Sequence, residues 1–286
     1  VKIADNTIQA VSTYVKQQLS PIMDDAEIRV TYRLMMGHYF GFSATDMALK
    51  RDHRFTESEL VKIIHCVKRL LKHEPFAQII GETEFYGLKF YVNQHTLIPR
   101  PETEELVEWV LIDWRKQTPT ILEIGTGSGC IPIALKRNLS KSSITSYDVS
   151  KEALEVASKN AELNQVTVNF QEIDILTAVL DENQKWDIIV SNPPYIAKQE
   201  MESMHQNVVD YEPHLALFVS DEDPLVFYRK IAEIGLRHLA KDGAIYVEIN
   251  QYLSQQTVEL FQTFGYSNVE LRQDINGNDR MIKAVI

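Results

Sequence analysis

Ile121-Leu122-Glu123-Ile124-Gly125-Thr126-Gly127-Ser128-Gly129 decides how this chain is read. Four residues of strand run straight into three alternate glycines, and a helical pattern starting at Ile131 follows with Pro132 in its first turn. Glycine lets the backbone turn sharply there and lets a ligand approach it closely. The spacing is Gly-x-Gly-x-Gly, which differs from the Gly-x-Gly-x-x-Gly of dinucleotide-binding loops and counts against a nicotinamide oxidoreductase.

Strand and helix patterns alternate downstream. Strands are expected at Ile144–Tyr147, Val168–Ile173, Trp186–Val190 and Ala244–Ile249. Helices are expected from Ser150 to Ala161, from Pro224 to Leu239 with Asp223 as cap, and up to Phe264. Two last strands, Val269–Ile275 and Arg280–Ile286, flank an Asn276-Gly277-Asn278-Asp279 turn. Such alternation predicts an α/β fold: a largely parallel, Rossmann-like sheet with helices on both faces and a closing antiparallel hairpin.

Upstream the pattern is different. Ile8, Val11, Val15 and Leu19 recur at helical spacing, and Asp24, Ser43 and Thr56 each open a capping-box sequence. Residues 1–80 therefore read as a small all-α N-terminal domain. Residues 81–96, centred on Phe85-Tyr86-Gly87-Leu88, read as a β-hairpin linker, and residues 97–286 as the domain that carries chemistry.

Candidate site residues lie where the predicted strands end. Asp148 ends the second strand and is placed to accept hydrogen bonds from ribose hydroxyls. Asp174 ends the third, where it reaches an adenine or caps a turn. The fourth runs into Asn192-Pro193-Pro194-Tyr195. Neither proline can donate to a sheet ladder, so the strand stops and the corner is stiff. Asn192 offers an amide oxygen and an NH2 group, and Tyr195 a flat ring for a planar substrate.

Composition narrows the choice. The chain has 286 residues and a formal charge of −11. Residues 1–80 carry 11 basic and 9 acidic side chains, and the remainder 18 and 31. So acidic a catalytic part is a poor general binder of phosphate backbones, and no stable nucleic-acid binding is expected. The opening Val1-Lys2-Ile3-Ala4-Asp5-Asn6 does not read as a secretory leader, and no apolar run approaches the roughly 18 residues of a membrane span. Two cysteines, Cys66 and Cys130, outside any Cys-x-x-Cys pair, and eight scattered histidines give neither a disulfide framework nor a metal spacing. A cytoplasmic home is expected.

The glycine loop, the acid after the next strand and Asn-Pro-Pro-Tyr together resemble class I S-adenosylmethionine-dependent methyltransferases that modify a nitrogen conjugated to a planar system. Gly81-Glu82-Thr83-Glu84-Phe85-Tyr86-Gly87, Leu97-Ile98-Pro99-Arg100-Pro101-Glu102-Thr103-Glu104 and Tyr211-Glu212-Pro213-His214-Leu215-Ala216-Leu217 extend the likeness to the PrmC/HemK family of release-factor glutamine (N5) methyltransferases. The resemblance implies that Gly125, Thr126, Gly127, Ser128 and Gly129 line the methionine part of the cofactor. It further implies that Asp148 holds the ribose, and that Asp174 and Ile175 flank the adenine. Asn192, Pro193, Pro194 and Tyr195 would hold the substrate glutamine, with Asn192 also touching the cofactor. The acceptors for the amide N–H groups would be the Asn192 oxygen and the Pro193 carbonyl. The implied substrate is the Gly-Gly-Gln loop of peptide chain release factors. An adenine-N6 or other nucleic-acid amino methyltransferase, which uses the same tetrapeptide, is the alternative. A non-catalytic docking module is a weaker one, since it needs neither the glycine loop nor the tetrapeptide.

Overall fold

The computed structural model of the protein describes residues 5–286; Val1–Ala4, part of the leader reading, lie outside the described residues. The chain forms two compact units. One holds the described residues up to Gly81 together with Gln206–Tyr211, and the other holds Glu82–His205 and Glu212–Ile286.

The first unit is helical, with helices Ile8–Leu19, Asp25–Phe40, Ala44–Leu49, Glu57–Leu70 and Phe76–Ile80. All three capping boxes form: Asp24 with Glu27, Ser43 with Asp46 and Thr56 with Glu59. Each cap is worth about 1 kcal/mol, because it serves helix-end N–H groups that have no partner within the helix. Ile63, Cys66, Val67 and Leu70 bury one helix face against Val11, Val15 and Leu19 of the first helix. A segment distant in sequence joins them. Gln78 Nε2 donates to the Tyr211 carbonyl at 2.9 Å, and the Tyr211 hydroxyl donates to the Lys72 carbonyl at 2.8 Å. Gln206–Tyr211, expected within residues 97–286, thus find partners in the helical unit.

The second unit opens with strands β1 (Glu82–Phe85) and β2 (Leu88–Tyr91). Tyr86 and Gly87 both take positive φ, 51° and 70°, which gives the turn the twist a two-residue hairpin needs. This hairpin is no free linker. Phe85 and Phe90 are buried in the same core as Leu106, Val110 and Ile121. Asn160 also grips it: its side chain accepts from Tyr91 N at 2.6 Å and donates to the Tyr91 carbonyl at 2.9 Å.

The remaining strands are β3 (Thr120–Ile124), β4 (Ser143–Asp148), β5 (Asn169–Glu172), β6 (Trp186–Ser191), β7 (Ile196–Ala197), β8 (Phe218–Val219), β9 (Leu239–Glu248), β10 (Asn268–Gln273) and β11 (Asp279–Val285). Seven of them form one sheet in the order β5-β4-β3-β6-β9-β11-β10. β11 runs antiparallel to both neighbours, and the other pairings are parallel. β7 and β8 make a separate two-residue ladder that the sequence pattern does not announce.

Side chains alternate across the sheet. Ile121, Ile188 and Val190 face helices Pro101–Trp114 and Cys130–Asn138, whereas Leu122, Ile124, Ile189 and Val247 face Val226–His238 and Ser254–Thr263. Helix Val226–His238 starts later than Pro224, and Asp223 does not cap it with its side chain. The Asp223 carboxylate is engaged by Arg229 at 2.9 Å. The chain leaves β3 towards β4 and β5, then returns to β6 on the other side of β3. The carboxyl ends of β3 and β6 thus flank the point where strand order reverses, the usual ligand crevice of open α/β sheets.

Candidate active site

A cavity of about 450 Å³ opens at that point. Gly125, Thr126, Gly127 and Ser128 form one wall, and Asn192, Pro193 and Pro194 another. Asp148, Asp174 and Ile175 line the far end. The sequence-predicted residues therefore converge from the ends of β3, β4 and β6 and from the turn beyond β5. Two do not line the cavity: Gly129 and Tyr195.

Gly129 is structural. At φ 81° it begins helix Cys130–Asn138, and a Cβ there would come within 3.0 Å of Ile133 Cδ1 and 3.1 Å of Ala157 Cβ. Its bareness lets two helices close on each other. Gly125 and Gly127 have φ of 87° and 52°, and a Cβ on Gly127 would meet no protein atom within 4 Å. The space above that loop is open to a ligand.

Asp148 is tied from below. Its carboxylate accepts from Gly127 N and from Ser150 N, both at 2.8 Å. Each oxygen keeps lone-pair capacity for a hydroxyl in the cavity. Burial raises its pKa, a rise that the backbone N–H groups offset only in part. Asp174 is exposed and caps its own turn, accepting from Leu176 N at 3.0 Å and Thr177 Oγ1 at 3.0 Å. Asp174 thus caps its own turn while also lining the cavity. Ile175, next to it, is buried in the wall.

Below the loop, Glu123 is fully buried. Its Oε2 accepts from Ser146 Oγ at 2.5 Å, and its Oε1 has no partner. Burial pushes its pKa up to about 8. Ser128 Oγ is also buried without a partner.

Tyr195 corrects the ring-stacking expectation. It follows two prolines that carry it past the cavity, and its side chain packs against the core formed by Tyr228 and Val247. Its hydroxyl donates to Glu248 Oε1 at 3.1 Å. Asn192 stays at the cavity wall, where Nδ2 donates to Thr103 Oγ1 at 3.1 Å. Arg100 and Glu212 join two further wall segments by an ion pair, and Glu212 also accepts from Ile98 N at 3.0 Å. Thr103 and Glu248 were not singled out from sequence. The only available signal was the position of Thr103 in Pro99-Arg100-Pro101-Glu102-Thr103.

The Methyltransferase small domain model matches residues 105–214, and the PrmC N-terminal domain model matches residues 11–81. The release factor glutamine methyltransferase of Flavobacterium psychrophilum is 46% identical over 97% of this chain and 98% of its own length. The chain belongs to the release factor glutamine methyltransferase family. The Bacteroides thetaiotaomicron member is 39% identical over 96% of this chain and 98% of its own. The fold extends beyond the family: a T. thermophilus 16S rRNA N2 G1207 methyltransferase, solved with AdoMet and guanosine, superposes with a TM-score of 0.52 at 15% identity. It covers 71% of this chain and 49% of its own. The cofactor of the family is S-adenosylmethionine, and the cavity fits it: an open glycine cradle, an unserved Ser128 hydroxyl and a carboxylate with spare acceptor capacity. Among the described residues no three His, Cys, Asp or Glu side chains gather as a metal site, and no helix is long and apolar enough to cross a membrane.

Proposed function

We infer that this chain methylates the side-chain amide nitrogen of the glutamine in the Gly-Gly-Gln motif of peptide chain release factors. The observation that carries this is the 46% identity along nearly the whole length of a release factor glutamine methyltransferase, with Asn192 presented at the cavity wall. S-adenosylmethionine, when bound, supplies a methyl on a positive sulfur, already a good electrophile.

The protein must make the amide a nucleophile. An amide nitrogen shares its lone pair with its carbonyl, which is why peptide bonds are planar. As the new bond forms, the nitrogen loses that conjugation and gains positive charge, which is relieved when one N–H proton leaves to water. Acceptors aimed at its N–H bonds help most at that moment. The Asn192 Oδ1 atom and the Pro193 carbonyl are those acceptors, held on a corner stiffened by two prolines. Pro194 completes the wall. Gly125 to Ser128 cradle the methionine part of the cofactor, Asp148 binds the ribose, and Asp174 and Ile175 border the adenine. Tyr195 acts through its hydrogen bond to Glu248 rather than by stacking. In-line placement of the two reactants lowers the barrier further.

The helical unit recognises the body of the release factor, and the hairpin belongs to the catalytic unit. A glycine-flanked glutamine suits a narrow cavity because glycine keeps the backbone thin. Reaction in the cytoplasm fits the two unpaired cysteines. Nucleic acid is not the substrate on this reading, because the catalytic residues are set in an acidic part of the chain. The test is incubation with labelled cofactor and either release factor, adenine-containing DNA or ribosomal RNA, followed by mass mapping. Label on the Gly-Gly-Gln glutamine is expected. Label on nucleic acid with none on release factor would replace this reading with the adenine-methylating one.

A further inference from the structure

The side-chain amide of Asn192 has two faces that matter, because oxygen and NH2 are opposite in hydrogen-bond sense. Something must decide which one the cavity receives. Behind Asn192 lies a chain of hydrogen bonds. Asn192 Nδ2 donates to Thr103 Oγ1 at 3.1 Å, and Thr103 Oγ1 donates to Glu248 Oε2 at 2.6 Å. Glu248 Oε1 accepts from the Tyr195 hydroxyl at 3.1 Å. Thr103 is 2% exposed and Glu248 1%. Thr103 borders the cavity, but at these exposures neither side chain is open to bulk water as an alternative partner.

A threonine hydroxyl has one hydrogen. Here that hydrogen is committed to a carboxylate, at the separation typical of O–H···O⁻ bonds. What remains on Thr103 is acceptor capacity, which only a donor can use, and the one donor of the Asn192 side chain is its NH2. The NH2 of Asn192 must therefore turn towards Thr103, and its Oδ1 must turn away. The same carboxylate fixes Tyr195, three residues further on, so one buried group holds both ends of the Asn-Pro-Pro-Tyr corner. Glu248 ends β9, beside the end of β6 that carries Asn192, while Thr103 comes from the first turn of helix Pro101–Trp114. Three elements distant in sequence meet to set one rotamer.

The geometry points to Thr103 and Glu248 as positioning residues for methyl transfer: their hydrogen-bond polarity makes Asn192 present an acceptor, not a donor, to the substrate amide. This rests on the reading of Asn192 as acceptor for the glutamine N–H groups. Neither residue needs to touch the reacting atoms.

The test uses the full chain with release factor and S-adenosylmethionine. Thr103→Val keeps the shape and removes the hydroxyl, and Thr103→Ser keeps the hydroxyl. Thr103→Val is expected to lower kcat about tenfold or more, since a misaligned group near the reaction centre is costly even at small displacements. The KM for release factor and the Kd for cofactor should stay within about twofold, because the change falls on the transition state. Thr103→Ser should recover kcat to within about threefold of wild type, the polarity being restored. Glu248→Gln should fall between them, because its single amide oxygen can accept from Thr103 or from Tyr195 but not fully from both. Unchanged kcat in Thr103→Val overturns the proposal. So does a Thr103→Ser variant no better than Thr103→Val, which would make the methyl group the relevant part. Thr103→Ala covers the case in which the added Val methyl disturbs folding, and loss of cofactor binding in both Val and Ala variants would make the hydroxyl structural and also overturn the positioning role. Wild-type enzyme is the control for the substrate: if it binds cofactor but leaves release factor unlabelled, the substrate reading fails, whatever the variants do.

Discussion

The two sides of the cavity are built by opposite means. The glycine-loop side is backbone. Gly125 and Gly127 sit at φ values open to glycine, and the loop N–H of Gly127 is held from below by Asp148. The opposite side is stiff side chain: Asn192 between a buried strand and two prolines, backed by Thr103 and Glu248. Each side has a buried carboxyl beneath it. Glu248 has both oxygens served by hydroxyl donors, whereas Glu123 has one oxygen served and one orphaned. Burial raises the pKa of both carboxyls; at Glu248 the Thr103 and Tyr195 hydroxyls and the Arg280 charge work against the rise, whereas the Asp148 charge adds to it at Glu123. One side of the cavity is thus held by packed side chains and the other by backbone clamped to a carboxylate.

The sharpest way to break this comparison is at Asn192. Asn192→Ala should reduce turnover by about 10²-fold while leaving cofactor affinity nearly unchanged, as expected for loss of one preorganised hydrogen-bond partner. Single-turnover methylation with a parallel calorimetric titration checks it. A proportionate loss of cofactor affinity would show that the two sides are not separable.

Glu123 gives the next effect, read as stability against pH in the absence of cofactor. Its ordinary pKa of 4.5 rises to about 8 on burial. Below the lower value it is neutral in both states. Between the two, the unfolded chain releases a proton that the folded chain keeps, so stability falls as pH rises. Above about 8 the loss is complete. Glu123→Gln stays neutral throughout, so it should be more stable than the parent at pH 8 by on the order of 4 kcal/mol, with no difference near pH 4. Urea unfolding at both pH values measures this, and an equal offset at both would remove Glu123 as the titrating group.

Asp148→Ala should weaken cofactor binding by about 1–3 kcal/mol, the range for a hydrogen bond to a charged group, with kcat at saturating cofactor largely kept. Unchanged affinity in a folded variant would take the ribose role away from Asp148 and leave it as the clamp of Gly127 and Ser150.

What could be read in the sequence was what is local. The glycine loop, the acids after β4 and β5 and the Asn-Pro-Pro-Tyr corner are each contiguous, and their strands carry alternation strong enough to place them at one sheet edge. The three capping boxes are local too, and all three form. What was missed depends on distance along the chain. Thr103 meets Glu248 across 145 residues, and the Tyr195 hydroxyl meets Glu248 across 53. No periodicity carries such pairings, so a tyrosine after two prolines read as a stacking platform. The membership of Gln206–Tyr211 in the helical unit is hidden for the same reason, since Gln78 and Tyr211 are 133 residues apart. β7 and β8 are two residues each, too short to show a period.

The Asn160 side chain has a reach beyond the hairpin. The NH2 group that donates to the Tyr91 carbonyl also donates to the Ser128 carbonyl at 2.8 Å, and Asn160 is completely buried. One amide therefore bolts the end of β2 to the glycine loop. Neither can open alone without leaving a buried polar group unpaired, so the two belong to one cooperative unit in local unfolding. Amide exchange at Tyr91 becomes a remote gauge of the glycine loop: filling the cavity should slow deuterium uptake at Tyr91, which does not line it, and Asn160→Ala should uncouple the two.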